Sequence, residues 1–239
     1  MNVAIPLATS VVSFLFALSM LDQFLERRRP YQLVWTIGLA LYCLASLMQF
    51  VREAFQISEP VFRVWYFTGA MLVPAYLGMG TMYLVAWRKA AHGLMIALAV
   101  VTAVGGVLVF TLPLEHDLAT LSAEEVLTGR GYIPVGLRLM TVALNVLGTL
   151  AFVGGALYSA WVFWRRRTMG YRLLSTTLIA VGGLASAAGG TLEGIGLPEP
   201  HALALLLGVI IMYIGFMRSS EVFTVYRLPF RRPAKQAPS

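Results

Sequence analysis

Residues 26–53 read ERRRPYQLVWTIGLALYCLASLMQFVRE: three arginines and a proline, then 21 residues from Tyr31 to Val51 without a charge, closed by Arg52 and Glu53. At about 1.5 Å per helical residue, such a block crosses roughly 30 Å of hydrocarbon. The rest of the chain repeats this pattern. Of its 239 residues 59% are hydrophobic and 12% charged, and the apolar ones come in blocks of similar length: Val3–Leu25, Tyr31–Val51, Val61–Trp87, Leu94–Leu112, Val135–Trp164, Tyr171–Leu192 and His201–Val222. A soluble fold of this size would have too little polar surface to put in water. The expected fold class is all-α, a polytopic membrane protein of seven transmembrane helices.

Orientation follows from the basic residues, because short loops rich in Lys and Arg stay cytoplasmic. With the N-terminus outside and the C-terminus inside, the inner side holds Arg27–Arg29, Arg88, Lys89, Arg165–Arg167, Arg172, Arg218, Arg227, Arg231, Arg232 and Lys235, and the outer side only Arg52, Arg63, Arg130 and Arg138. Fourteen against four is a strong bias toward that orientation, and the expected location is the cytoplasmic (inner) membrane of a cell. The first block has no basic residue ahead of it and ends in Glu26-Arg27-Arg28-Arg29, the reverse of a signal peptide, so it is expected to be a retained helix. The net charge of +7 does not imply a nucleic-acid partner, since the cations are scattered over short loops. Cys43, the single cysteine, lies inside a block and offers neither a disulfide nor a metal site.

The chain also resembles itself. At an offset of 140, Tyr31–Glu53 matches Tyr171–Glu193 at Tyr31/Tyr171, Leu33/Leu173, Thr36/Thr176, Ala40/Ala180, Leu44/Leu184, Ala45/Ala185, Ser46/Ser186 and Glu53/Glu193, eight of 23 positions. Arginine triplets Arg27–Arg29 and Arg165–Arg167 precede both segments, and Glu59-Pro60 matches Glu199-Pro200 downstream. Helices one to three are therefore read as a copy of helices five to seven, with an odd fourth helix that gives both copies the same direction: a 3+1+3 parallel repeat about the membrane normal. The expected domain is residues 1–227, with repeat 1 at about 3–87, a linker helix at 94–112, an outer loop at 113–134 and repeat 2 at about 135–222. Residues 228–239, with Pro229, Pro233 and Pro238 among Arg231, Arg232 and Lys235, read as a disordered basic cytoplasmic tail.

In organisation this plan is similar to SWEET-type carriers and microbial rhodopsins. The seventh block has no lysine for a retinal Schiff base, and Pro30-Tyr31-Gln32 and Gly170-Tyr171-Arg172 stand where a sugar carrier of that type would have a Pro-Gln pair. Trp35-Thr36-Ile37-Gly38, Leu77-Gly78-Met79-Gly80-Thr81 and Ala156-Leu157-Tyr158-Ser159-Ala160-Trp161 resemble segments of a bacterial family of seven-helix integral membrane proteins with no assigned activity. That resemblance implies topology and no chemistry.

Candidate functional residues are few. Pro74 lies midway along the third block, with Gly78 and Gly80 one turn on, so this helix is expected to be irregular beside a central pocket. Asn145 is read as the deepest strongly polar side chain, expected to hydrogen-bond between helices. Gly182, Ser186, Gly190 and Gly194 on the sixth helix, and Ala151, Gly155 and Ser159 on the fifth, form stripes that let backbones approach closely. Glu53 and Glu193 are equivalent in the two copies, and Arg52, Arg63 and Arg138 are the nearby outer cations, so an acidic gate partnered by Arg63 or Arg138 is one reading and interfacial salt bridges another. In the outer loop, Ser122 and Glu125 form a capping-box pattern for a short surface helix.

His92 reads as an inner-loop residue and His116 and His201 as outer ones, so no pair brackets a haem, and neither a metal ligand set nor another cofactor is expected. With no catalytic constellation in view, the expected function is non-enzymatic: binding of a small molecule or lipid for transport or sensing. The alternative is a structural or accessory subunit of a larger membrane complex. Expected partners are the lipid bilayer, a small-molecule or lipid ligand, and a membrane protein or second copy of the chain.

Overall fold

The computed structural model describes residues 3–55, 58–115, 129, 131–165, 170–194 and 198–220, all of them in helices or their connections. In chain order the helices are α1 (Ala4–Arg27), α2 (Pro30–Ala54), α3 (Glu59–Val85), α4 (Arg88–Thr111), α5 (Val135–Arg165), α6 (Gly170–Gly194) and α7 (Pro198–Ser220). Six of them, α1 to α5 and α7, are long and apolar enough to cross a membrane; in α6 the apolar stretch runs Leu174–Gly189 among the described residues. The fold defines a multi-pass membrane protein. The surface helix expected around Ser122 and the basic tail lie outside the described residues.

Helix boundaries follow the apolar blocks within a few residues, with one exception. The linker helix begins at Arg88, six residues before the expected Leu94. Trp87 is extended (φ −64°, ψ 139°) and starts the helix, and the following Arg-Lys-Ala-Ala-His run consists of residues that helix backbones accept readily. Charge there marks where the lipid ends and not where the helix ends. His92 is consequently helical, with Nδ1 2.9 Å from the Tyr83 hydroxyl of α3, and the expectation of an inner-loop histidine is corrected.

The α1–α2 connection is two residues long. Arg28 adopts the left-handed conformation (φ 51°), which lets its amide bond Phe24 O at 2.8 Å, and Pro30 opens α2 where its missing N–H costs nothing. So short a turn forces α1 and α2 to run antiparallel in contact.

Packing then follows a closed order. α1 lies against α2, α2 against α3, α3 against α5, α5 against α6, α6 against α7, and α7 returns to α1; α4 sits outside this ring, held mainly by α3. Two apolar cores result. One joins α3, α4 and α5 through Phe62, Trp65, Tyr66, Met71, Leu72, Tyr76, Val109 and Leu137. The other fills the ring with Phe16, Met20, Leu39, Tyr42, Val73, Phe152, Val209 and Met212. Inside a bilayer these contacts gain no hydrophobic free energy over lipid, so close packing by dispersion has to hold the helices together.

Two glycine contacts show how close. A Cβ on Gly148 of α5 would lie 2.4 Å from Pro74 C and O of α3, and one on Gly78 would lie 2.4 Å from Gly148 O. Likewise a Cβ on Gly182 of α6 would lie 2.6 Å from Gly208 O of α7. The expected close approach along the α6 stripe is thus met at Gly182, against α7.

Candidate functional site

α3 is the irregular helix, as Pro74 implies. Its middle, Tyr66–Leu72, is π-helical, so that Val73 N–H bonds Thr68 O five residues back. In a plain α-helix the amide of residue 74 would bond the carbonyl of residue 70; proline has no amide, and Ala70 O is released. The side chain of Asn145 takes it: Nδ2 donates to Ala70 O across the α3–α5 interface and to Thr141 O on its own helix at 3.0 Å. Pro74 and Asn145 therefore form one unit, a backbone gap on α3 filled by an amide from α5. Four residues before Asn145, the Thr141 hydroxyl accepts a hydrogen bond from Tyr66 Oη at 2.9 Å. Both polar groups are consumed by holding the irregular segment in place, and the backbones touch beside them at Gly148.

Arg63 has a structural role of its own. It is buried, bonds Glu59 one turn earlier on α3, and donates through Nη1 to Val109 O, one of the terminal carbonyls of α4. A cation on the C-terminal carbonyls of a helix is favoured by the aligned peptide dipoles. Arg138, in the first turn of α5, is partly buried and acts on Tyr66. The two arginines serve the α3–α4–α5 corner and are not brought to Glu53.

Glu53 stands on the last turn of α2. Both carboxylate oxygens are shut off from solvent. Arg52 and the N-terminal amine act on it by charge, and Gln49 acts through a side-chain hydrogen bond. Glu193 occupies the next-to-last position of α6; its side chain lies outside the described residues.

The structure adds residues to this site. Glu53 ends a row on α2 formed by Tyr42, Ser46 and Gln49, spaced at i, i+4, i+7 and i+11, which is one helix face. Tyr42, Ser46 and Gln49 are all buried. The row runs about 16 Å along the helix axis. Its inner end is the Tyr42 hydroxyl, which donates to Leu205 O of α7 at 3.1 Å and lies beside Ser186 of α6. Ser186 Oγ is itself buried and acts on the Tyr42 hydroxyl through a side-chain hydrogen bond, and His201, buried on α7, packs its ring against Gly189 of α6. Beneath Tyr42 the polar row meets Leu39, Val209 and Met212, which are almost completely buried.

On α1, Thr9 and Ser13 spend their hydroxyls on carbonyls one turn back, and Ser10 bonds Cys43 O at 3.2 Å. The α1 hydroxyls are thus satisfied. Sequence reasoning named Glu53 and passed over Tyr42, Ser46 and Gln49; their heptad-like spacing was the signal available. Chemically the row can accept and donate hydrogen bonds and offer one negative charge at its mouth, and it holds no nucleophile–base pair.

Fold and site together define the class, a multi-pass helical membrane protein with a buried polar row at one end. No protein family, curated protein or solved structure matches the chain.

Proposed function

We propose that this is a non-enzymatic protein of seven spans in the cytoplasmic membrane, N-terminus outside, which binds a small molecule or lipid in its outer half for transport or sensing. The observation that carries this reading is the buried row Tyr42, Ser46, Gln49 and Glu53, with Ser186 opposite and an apolar floor below. Polar side chains at membrane depth cost free energy and are usually retained where they line a path or a site. The arginine bias supports putting the Glu53 end outside. The ring order also supports the 3+1+3 repeat: exchanging α1 with α5, α2 with α6 and α3 with α7 turns each neighbouring pair of the ring into another neighbouring pair. Pro74 has no proline counterpart at the equivalent position, Ile214, so the two copies differ in their third helix.

A second reading, an accessory subunit of a larger membrane complex, has its own observation. The α3–α5 interface is closed at Gly78 and Gly148, while α4 and α5 turn Ile96, Val107, Leu147 and Leu150 outward with about two thirds of each side chain exposed. In a Cys43→Ala chain in intact cells, Ser46→Cys should react with a membrane-impermeant thiol reagent added outside, as should the exposed control Ser58→Cys. If Ser58→Cys reacts and Ser46→Cys stays unlabelled, the row is sealed and the accessory reading replaces the binding one.

A further inference from the structure

The up-and-down course of the helices brings the α1–α2 turn, the α3–α4 turn and the C-terminal ends of α5 and α7 to one end of the bundle. The arginines of the first turn, Arg88, Lys89, Arg165 and Arg218 gather there, all exposed, and the described acids of the same segments are Asp22 and Glu26. That end is strongly positive.

One helix reaches further than its neighbour. A Cβ on Gly155 of α5 would lie 2.4 Å from Thr81 Cγ2 and 3.6 Å from Val85 Cγ2, so Gly155 is level with the last turn of α3. α5 continues to Arg165, about 15 Å further along its axis. The extension is aromatic, with Tyr158, Trp161 and Trp164 54%, 47% and 67% exposed. Tyrosine and tryptophan, apolar in body and polar at the tip, suit the depth at which lipid carbonyls and phosphates begin.

We infer that this end of α5 holds one anionic lipid, its acyl chain against Leu150 and Gly154 and its phosphate on Arg165. Leu150, Gly154, Tyr158, Trp161 and Arg165 follow one another at helical spacings of three and four, which is one face. Leu150 is 65% exposed, and a Cβ on Gly154 would meet nothing within 4 Å, so the face is open and has a dip between Leu150 and Tyr158. From Leu150 to Arg165 the face runs about 22 Å, close to half the thickness of a bilayer with its headgroups. Apolar, aromatic and cationic groups therefore come in the order in which a phospholipid presents chain, carbonyl and phosphate.

At the headgroup level the parts are assembled. The Tyr158 and Trp161 ring centroids are 6.2 Å apart, and the Arg165 guanidinium lies over the Trp161 ring at 5.5 Å. Stacking uses the face of a guanidinium and leaves the N–H groups in its plane for two parallel bonds to a phosphate. A zwitterionic headgroup would bring an ammonium group to an end already rich in cations, and an anionic one brings none. The inference stands on the membrane-spanning fold and makes no use of the α2 row.

The test titrates phosphatidylglycerol or phosphatidylcholine into the delipidated full-length protein in detergent and reads the first bound lipid by native mass spectrometry. Phosphatidylglycerol should bind at least about fivefold more tightly, the effect of one cation at an anionic surface. Arg165→Gln should weaken it about fivefold, and Trp161→Leu about threefold through loss of the ring under the guanidinium. Arg218→Gln, a cation of the same end away from this face, should change it less than about twofold. Sodium phosphate at constant ionic strength should not displace the lipid, because it brings no acyl chain.

Equal affinity for the two lipids in the unaltered chain overturns the anionic assignment, whatever the variants do. An Arg218→Gln loss as large as that of Arg165→Gln overturns the site and leaves only the diffuse charge of the end. Displacement by sodium phosphate assigns Arg165 to a free anion and overturns the lipid.

Discussion

Gly148→Ala adds one methyl group at the tightest point between α3 and α5. Its Cβ would lie 2.4 Å from both Pro74 C and Pro74 O and 2.6 Å from Ala75 N, all backbone atoms that no rotamer change can move. Ordinary contact begins near 3.5 Å, so the two helices must separate by roughly an ångström. A gap of that size forfeits a quarter to a half of each dispersion contact nearby, and small-to-large changes in packed interiors cost about 1–3 kcal/mol. Separation also stretches the bond from Asn145 to Ala70 O, one turn away, and puts the expected loss near the top of that range, about 3 kcal/mol or a hundredfold in the unfolding equilibrium.

The same helix holds its own control. At Gly136 and Gly154 a Cβ would meet nothing within 4 Å, so Gly→Ala there should be neutral or stabilising by up to about 1 kcal/mol through helix propensity. Thermal unfolding of the three variants in one detergent or nanodisc, checked by a reversible denaturant titration, gives the comparison. A Gly148→Ala protein as stable as Gly154→Ala would refute the close α3–α5 contact.

Two other expectations concern residues near that contact. Asn145→Ala should cost about 1 kcal/mol, and the cost should fall by more than half in a Pro74→Ala background, where residue 74 regains an amide for Ala70 O; a double-mutant cycle with no coupling would separate the two residues. Arg63→Gln should loosen the C-terminal end of α4, raising hydrogen exchange at residues 105–111 and costing about 1–2 kcal/mol, whereas Glu59→Gln should be milder because Arg63 keeps its bond to Val109 O. Equal effects of the two substitutions would mean that the ion pair, and not the helix-end contact, carries the stabilisation.

Much of this architecture was legible in the sequence because a membrane reads length and polarity one residue at a time. The blocks gave the helices, and only α4 was misjudged, since Arg88, Lys89 and His92 are foreign to lipid and ordinary in a helix. Pro74 announced irregularity because a missing amide is a local fact. That the defect lies on its N-terminal side, over Tyr66–Leu72, follows from where the lost bond would have pointed.

The partner of Asn145 was not legible. The side chain could be read as an interhelical donor, but Ala70 is 75 residues away and nothing local ties the two. The site was less legible still. Glu53 was visible as a charge, while Ser46, Gln49 and Tyr42 are residue types common in any helix and became a row only when their burial was known. Arg63 looked like a partner for Glu53 from its place near a helix end, and the distance between helices gave it to α4 instead.

The π-helical stretch of α3 also bears on how this gene tolerates change in length. A helix that closes its bonds five residues back over one stretch accommodates one residue more than the same stretch of α-helix, while the flanking segments keep their facing. Removing a single residue from most helices of the ring would rotate everything beyond it by about 100° and turn buried side chains toward lipid. Within Tyr66–Leu72 the same deletion would let α3 relax to regular winding, with Arg63 still aimed at α4 and Gly78 still against Gly148. That segment is where a natural lineage could gain or lose a codon without rebuilding the bundle.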